Sequence, residues 1–91
     1  MKKILIVEDD TNINNMICEV KKKQGYECIQ AFSGTEGLLY VKQEELLLVL
    51  LDLMLPGMSG EVLLTEIKAR GNTPVIVMSA KDSLDSKVEL L

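Results

Sequence analysis

The stretch Leu46–Gly60, LLLVLLDLMLPGMSG, constrains the fold of this 91-residue chain more than any other. Six apolar residues run without a break into one acid, Asp52, and three further apolar residues and a Pro-Gly turn signal follow it. The run is too short for an ordinary helix and does not alternate, which is typical of a strand buried on both faces of a parallel sheet. A carboxylate at the end of such a strand lies in the crevice where open α/β sheets bind ligands. Asp52 is therefore the first candidate site residue.

Short apolar runs alternate with helical patterns along the whole chain. The predicted strands cover residues 3–7, 26–32, 46–52 and 75–79. The helices between and after them start from predicted caps at Asp10 or Thr11, at Ser33, at Ser59, and at Asp82 or Ser83. This βαβαβαβα order indicates a parallel sheet with helices on both faces.

The spacing of apolar residues predicts which side of each helix faces the sheet. In the first helix these residues are Ile13, Met16, Ile17 and Val20. In the second helix, over residues 34–45, they are Leu38, Leu39 and Val41. In the third helix they are Val62, Leu63, Leu64 and Ile67.

Acids follow both strands that are expected at the centre of the sheet. In a doubly wound sheet of order 2-1-3-4, strands 1 and 3 are neighbours, so Glu8, Asp9 and Asp52 are expected to converge at the switch point. Three close carboxylates need a raised pKa or a divalent cation, and an all-oxygen ligand set suits Mg²⁺. A bound cation would let Asp52 attack a phosphoryl group, and Ser79, at the end of strand 4, would offer a hydroxyl to the same crevice.

Composition and charge exclude several classes of protein. The net charge is −4 and aromatic residues are 3%, so direct binding of nucleic acid by this chain is not expected. No apolar run is long enough to span a membrane, and the acids Glu8–Asp10 follow Met1 too soon for a signal peptide. Cys18 and Cys28 lack metal-binding spacing and are predicted to be reduced thiols. A cytoplasmic protein is therefore expected.

Three segments carry a resemblance to a known family: IVEDD at 6–10, LLDLMLPGMSG at 50–60 and VIVMSAKD at 75–82. They resemble the receiver domain of bacterial two-component response regulators, especially the subclass with a winged-helix DNA-binding domain. The resemblance implies a flavodoxin-like three-layer α/β sandwich in which a sensor histidine kinase phosphorylates Asp52. It implies a Mg²⁺ or Mn²⁺ site with Asp9 and Asp52 as direct ligands, Glu8 acting through water, and the Met54 backbone carbonyl completing the set. Ser79 matches the hydroxyl that contacts the phosphoryl group.

The family also has a fifth strand with an essential lysine and a last helix, and these would lie beyond Leu91. We therefore expect residues 1–91 to form a receiver domain that is incomplete at its C-terminus, with strand 4 at the sheet edge. Unpaired backbone groups at such an edge are a template for pairing with another chain. A homodimer joined through strand 4 and the C-terminal segment is therefore predicted.

The residues bear on three alternatives to a receiver. A phosphohydrolase with an Asp nucleophile would need a second Asp two residues after Asp52, where Met54 stands. A dinucleotide-binding fragment would need a glycine-rich loop after strand 1, where EDDTN would repel a pyrophosphate. An inert receiver fragment that assembles without signalling stays open. Apart from Mg²⁺-dependent self-phosphorylation on Asp52, no enzymatic activity is expected.

Overall fold

A computed structural model of the chain describes residues 2–78. The elements are β1 (Lys3–Val7), α1 (Thr11–Lys23), β2 (Cys28–Ala31), α2 (Gly34–Gln43), β3 (Leu46–Leu51), α3 (Gly60–Arg70) and β4 (Val75–Val77). β1 has the predicted bounds, whereas β2 and α2 are each shorter than predicted. The predicted fourth helix lies outside the described residues.

The four strands form one parallel sheet in the order β2-β1-β3-β4, as predicted. At the carboxyl end of β1, Val7 is level with Ala31 of β2 and with Leu51 of β3. The backbone N–H of Asp52 donates to the Val7 carbonyl oxygen at 2.9 Å, and the N–H of Glu8 donates to the Ala31 carbonyl oxygen at 3.0 Å. This register brings the residues that follow β1 and β3 out of the sheet side by side.

One side of the sheet, here called the α2–α3 face, carries most of the apolar core. Its buried side chains are Leu5, Val7, Ala31, Val49, Leu51, Leu63 and Ile67. Successive strand residues point to opposite faces, which is why alternate positions of β1 and β3 supply this cluster. The prediction that Leu39 and Val62 face inward was wrong. Each of these side chains is 50% exposed. Val62 precedes Leu63 by one residue, which turns its side chain about 100° away from the sheet.

The opposite side, the α1 face, has a smaller apolar cluster. Its buried members are Ile4, Ile6, Cys18 and Leu50, and Ile17 packs against them. α1 covers this face with Asn14 and Cys18, one helical turn apart and both buried. Three layers result, with α1 on one side of the sheet and α2 and α3 on the other.

The apolar stripe predicted for α1 was largely wrong. Ile13, Met16 and Val20 are 39%, 58% and 47% exposed, and only Ile17 of the predicted set packs on the sheet. The helix is rotated so that the Asn14 carboxamide reaches backbone carbonyls at the ends of β1 and β2. Asn14 thereby supplies a donor to the Glu8 carbonyl oxygen, and a buried carbonyl without a donor is costly.

Two strands are less buried than predicted. The register of β1 against β3 shifts between Lys3 and Ile4, so Leu47 of β3 has no partner on β1, and it is 41% exposed. Ile76 of β4 is also 41% exposed, because within residues 2–78 this short strand pairs with β3 on one side only.

Both cysteines are free thiols, as predicted. In the part of the chain that the structure describes, no helix has the length and apolar character needed to cross a membrane.

Candidate functional site

Three acids meet at the carboxyl ends of the two central strands. Glu8, Asp9 and Asp52 each present a carboxylate oxygen, and these oxygens lie within 4.8 Å of one another. Glu8 and Asp52 are 5% and 1% exposed, and Asp9 is half-buried. The predicted convergence is therefore confirmed. Carboxylates this close repel one another when ionised, and their oxygens are the ligands that hard divalent cations prefer.

Glu8 has a raised pKa in this cluster. Burial raises the pKa of Glu8 from its ordinary 4.5 to about 7, although the Asp10 backbone N–H, which donates to Oε2 at 3.0 Å, acts in the opposite direction. The charge of Asp52 and hydrogen bonds to the carboxylates of Asp9 and Asp52 raise the pKa further. Near neutral pH, Glu8 in the metal-free cluster is therefore partly protonated, and a bound divalent cation would favour its ionised form.

The loop between β3 and α3 holds Asp52 in place. The Met54 backbone N–H donates to Asp52 Oδ1 at 3.0 Å, and the Gly60 N–H donates to the Leu53 carbonyl oxygen at 3.1 Å. A Cβ on Gly60 would stand 2.5 Å from the Asp52 carbonyl oxygen, so only glycine allows this close return of the chain. The Met54 side chain is 56% exposed, and its backbone lies beside the Asp52 carboxylate.

The N-terminus of α2 supports the same loop from the other side. Ser33 Oγ accepts from the Glu36 N–H at 3.1 Å, which caps the helix as predicted. The Gly34 N–H donates to the Pro56 carbonyl oxygen at 3.3 Å, and a Cβ on Gly34 would clash with the Met58 carbonyl oxygen. The loop that follows Asp52 is therefore clamped between α2 and α3.

Asn14 is a functional-site neighbour that sequence reasoning missed. Its side chain is fully buried, and Nδ2 donates to the carbonyl oxygens of Glu8 and Ala31, both at 3.0 Å. The only sequence signal was a polar residue in the first turn of the helix after strand 1, and an exposed helix residue gives the same signal. Of the five predicted site residues, the structure places Glu8, Asp9, Asp52 and Met54 together, and Ser79 lies outside the described residues.

Comparison with known proteins agrees with this geometry. The chain matches the response regulator receiver domain family over residues 4–91. It is 42% identical over 88 residues to the transcriptional regulatory protein CiaR of Streptococcus pneumoniae, which covers 96% of this chain and 39% of that protein. It is 41% identical over 78 residues to the uncharacterized transcriptional regulatory protein YcbL of Bacillus subtilis, covering 86% of this chain and 34% of that one.

A solved structure shares the fold. The response regulator protein TrrA of Thermotoga maritima, in complex with Mg²⁺-BeF, superposes with a TM-score of 0.82 at 32% identity, covering 97% of this chain and 77% of that one. Against the two curated relatives, however, the chain spans only 34–39% of their length. The likeness therefore concerns the domain that carries the acids.

Proposed function

This chain belongs to the response regulator receiver domain family, and on that premise we propose that it accepts a phosphoryl group on Asp52 from a sensor histidine kinase. The observation that carries the proposal is the convergence of Glu8, Asp9 and Asp52 within 4.8 Å, with Asp52 at the end of a central strand. In the transfer, one Asp52 carboxylate oxygen forms a bond to phosphorus while the phosphorus–nitrogen bond to the kinase histidine breaks. Asp52 is thus a nucleophile that stores the phosphoryl group.

The residues present fit a divalent cation. Asp9, Asp52 and the Met54 backbone carbonyl would hold Mg²⁺ or Mn²⁺, with Glu8 acting through water. Such a cation neutralises negative charge on the transferring phosphoryl oxygens. The Met54 N–H keeps the Asp52 carboxylate in one orientation, and the low exposure of Asp52 excludes bulk water from its reacting oxygen. Ser79 would offer its hydroxyl to the bound phosphoryl group.

The wider biological role follows from the same premise. The relatives CiaR and YcbL are named transcriptional regulatory proteins, which supports a role of the parent protein in regulating transcription. We propose that it does so in the cytoplasm, through an effector domain. The chain itself is a phosphoryl acceptor and not an enzyme that turns over phosphate esters, and it does not contact nucleic acid directly.

A homodimer would form along β4, which in residues 2–78 pairs only with β3 and exposes Ile76. Sedimentation at several protein concentrations measures that assembly, and a monomer throughout would contradict it.

Labelling with a small phosphoryl donor tests the central proposal. Incubation with acetyl phosphate and Mg²⁺ should add one phosphate to the wild-type chain, as measured by intact mass. Asp52→Asn should abolish the adduct. Asp10→Asn is the matched control, because it removes a neighbouring carboxylate outside the cluster while asparagine still caps α1. An adduct that persists in Asp52→Asn, or one that forms equally well in excess chelator, would overturn the proposal.

A further inference from the structure

The side chain of Asn14, on α1, forms hydrogen bonds to backbone carbonyls at the ends of β1 and β2. It is fully buried at the first turn of α1, and its nitrogen donates to the carbonyl oxygens of Glu8 and Ala31 at 3.0 Å, with a longer contact of 3.5 Å to that of Ile6. Its oxygen accepts from Gln30 Nε2 at 2.9 Å. Both ends of the carboxamide are therefore engaged, and its orientation is fixed.

The Glu8 carbonyl is part of the peptide unit that joins Glu8 to Asp9. That unit is planar, so a hydrogen bond to its oxygen fixes the plane and with it the direction in which Asp9 leaves β1. We propose that Asn14 is a positioning residue that holds this peptide in place, so that the carboxylates of Glu8 and Asp9 face Asp52 before any cation binds. The inference rests on the proposed function, since it concerns the affinity of the same acidic cluster for Mg²⁺.

A hydrogen-bonded layer behind Asn14 supports this role. Gln30 Nε2 donates to Asn14 Oδ1 and also to Asn15 Oδ1, at 2.7 Å, so one amide from β2 ties together two neighbouring residues of α1. The Ala31 carbonyl oxygen receives both the Asn14 amide and the Glu8 backbone N–H. The ends of β1 and β2 and the start of α1 thereby form one connected network.

The geometry of the acidic cluster depends on the orientation of this peptide. The carboxylate oxygens of Glu8, Asp9 and Asp52 lie within 4.8 Å of one another, and a rotation of the Glu8–Asp9 peptide would move the first two away from Asp52. A leucine at position 14 would fill a similar volume and would leave the Glu8 carbonyl without this donor. The cation would then have to reorganise the peptide on binding, and its affinity would fall.

Affinity for Mg²⁺, measured by NMR titration of the Asp9 and Met54 amides, tests the inference. Asn14→Leu should weaken binding about tenfold, the size expected for residues that orient metal ligands. Cys18→Ala is the matched control, because Cys18 lies one turn further along α1 on the same buried face, away from the acids. It should lower the free energy of unfolding without changing the Mg²⁺ affinity. Relaxation dispersion at the Asp9 amide should increase in Asn14→Leu alone.

Gln30→Leu provides a second variant in case Asn14→Leu does not fold. It keeps the Asn14 carboxamide and removes only the donor behind it, so a loss of Mg²⁺ affinity smaller than that of Asn14→Leu is expected. Equal affinity in wild type, Gln30→Leu and Cys18→Ala, with Asn14→Leu either equal to them or unfolded, would overturn the inference alone. The absence of any Mg²⁺-dependent shift in wild type would overturn the proposed function and the inference with it.

Discussion

On the α2–α3 face of the sheet, large aliphatic side chains from two helices pack against β1 and β3, whereas on the α1 face one helix contributes an asparagine and a cysteine. The first face buries Leu63 and Ile67 completely or nearly so. The second leaves Ile13, Met16 and Val20 of its helix exposed and instead makes hydrogen bonds to strand ends. Apolar burial therefore supplies most of the stability on one face, and hydrogen bonds position the acids on the other.

The alternation of strand residues explains why the acids belong with the polar face. Ile4 and Ile6 point towards α1, and Glu8 continues that series, just as Asp52 continues from Leu50. The α2–α3 face should accordingly be insensitive to pH and sensitive to loss of side-chain volume. The α1 face, which carries Glu8, should respond to pH.

Loss of volume on the α2–α3 face gives the largest expected effect. Leu63→Ala should lower the free energy of unfolding by about 2–5 kcal/mol, because a fully buried leucine leaves a cavity in a close-packed cluster. Urea denaturation measures it. Val62→Ala, at the exposed neighbouring position, is the control and should stay within about 0.5 kcal/mol of wild type. Equal losses in the two variants would mean that α3 presents a different face to the sheet.

A change of pH should act on the α1 face. The pKa of Glu8 is about 7 in the folded chain and returns to its ordinary 4.5 on unfolding, so the protonated carboxyl stabilises the fold. That contribution is complete below about pH 4.5 and is lost as the pH rises through about 7, by at most about 1.4 kcal/mol per pH unit.

Urea denaturation of the metal-free chain at several pH values should show this decline. Glu8→Gln should remove it, because the amide does not titrate, whereas Leu63→Ala should keep the same slope from a lower starting stability. Saturating Mg²⁺ should flatten the slope in wild type, since the cation favours the ionised carboxylate. A metal-free stability that increases between pH 5 and 7 as a result of Glu8 would contradict the assignment.

The start of α1 should respond to loss of its cap. Asp10 Oδ1 accepts from the Ile13 N–H at 3.0 Å, so Asp10→Ala should lower the free energy of unfolding by about 1 kcal/mol. Asp10→Asn retains an acceptor and should lose much less. Thermal denaturation of the two variants side by side measures the difference. If both variants lose the same amount, the charge of Asp10 and not the hydrogen bond is responsible.

The smallest effect is expected on the outer surface of α1. Met16→Gln should change the free energy of unfolding by no more than about 0.5 kcal/mol, because Met16 is 58% exposed. Chemical denaturation with a matched Ile17→Gln variant sharpens the result, since Ile17 packs against the sheet and should lose considerably more. A larger loss of stability in Met16→Gln than in Ile17→Gln would mean that the side of α1 with Met16 packs against the sheet.

The central strands and the meeting of the acids could be predicted from sequence because they depend on local patterns. A run such as Leu46–Leu51 identifies a strand, and parallel strands bring their carboxyl ends to one edge, which places Asp52 beside Glu8 and Asp9. No distance had to be known. The orientation of α1 could not be predicted from a local pattern. It depends on a hydrogen bond from Asn14 to Ala31, which is 17 residues away in the sequence.

Other errors had the same origin. The periodicity of an amphipathic helix reports apolar side chains, and it gives no weight to backbone carbonyls that need a donor. It therefore favoured Ile13, Met16 and Val20 over Asn14. The exposure of Leu47 likewise depends on the register of β3 against β1, which only the paired strands reveal. In these places tertiary contacts outweighed the local pattern.

The contrast between two glycines bears on how this molecule can be labelled or extended. Gly25, in the turn before β2, has a φ of +97° and nothing within 4 Å of where a Cβ would stand, whereas a Cβ on Gly34 would strike the loop after Asp52. The turn at Gly25 lies at the edge of the sheet opposite the acids. A fluorophore or a grafted peptide at Gly25 would have open space around it. The same graft at Gly34 would displace the loop that orients Asp52.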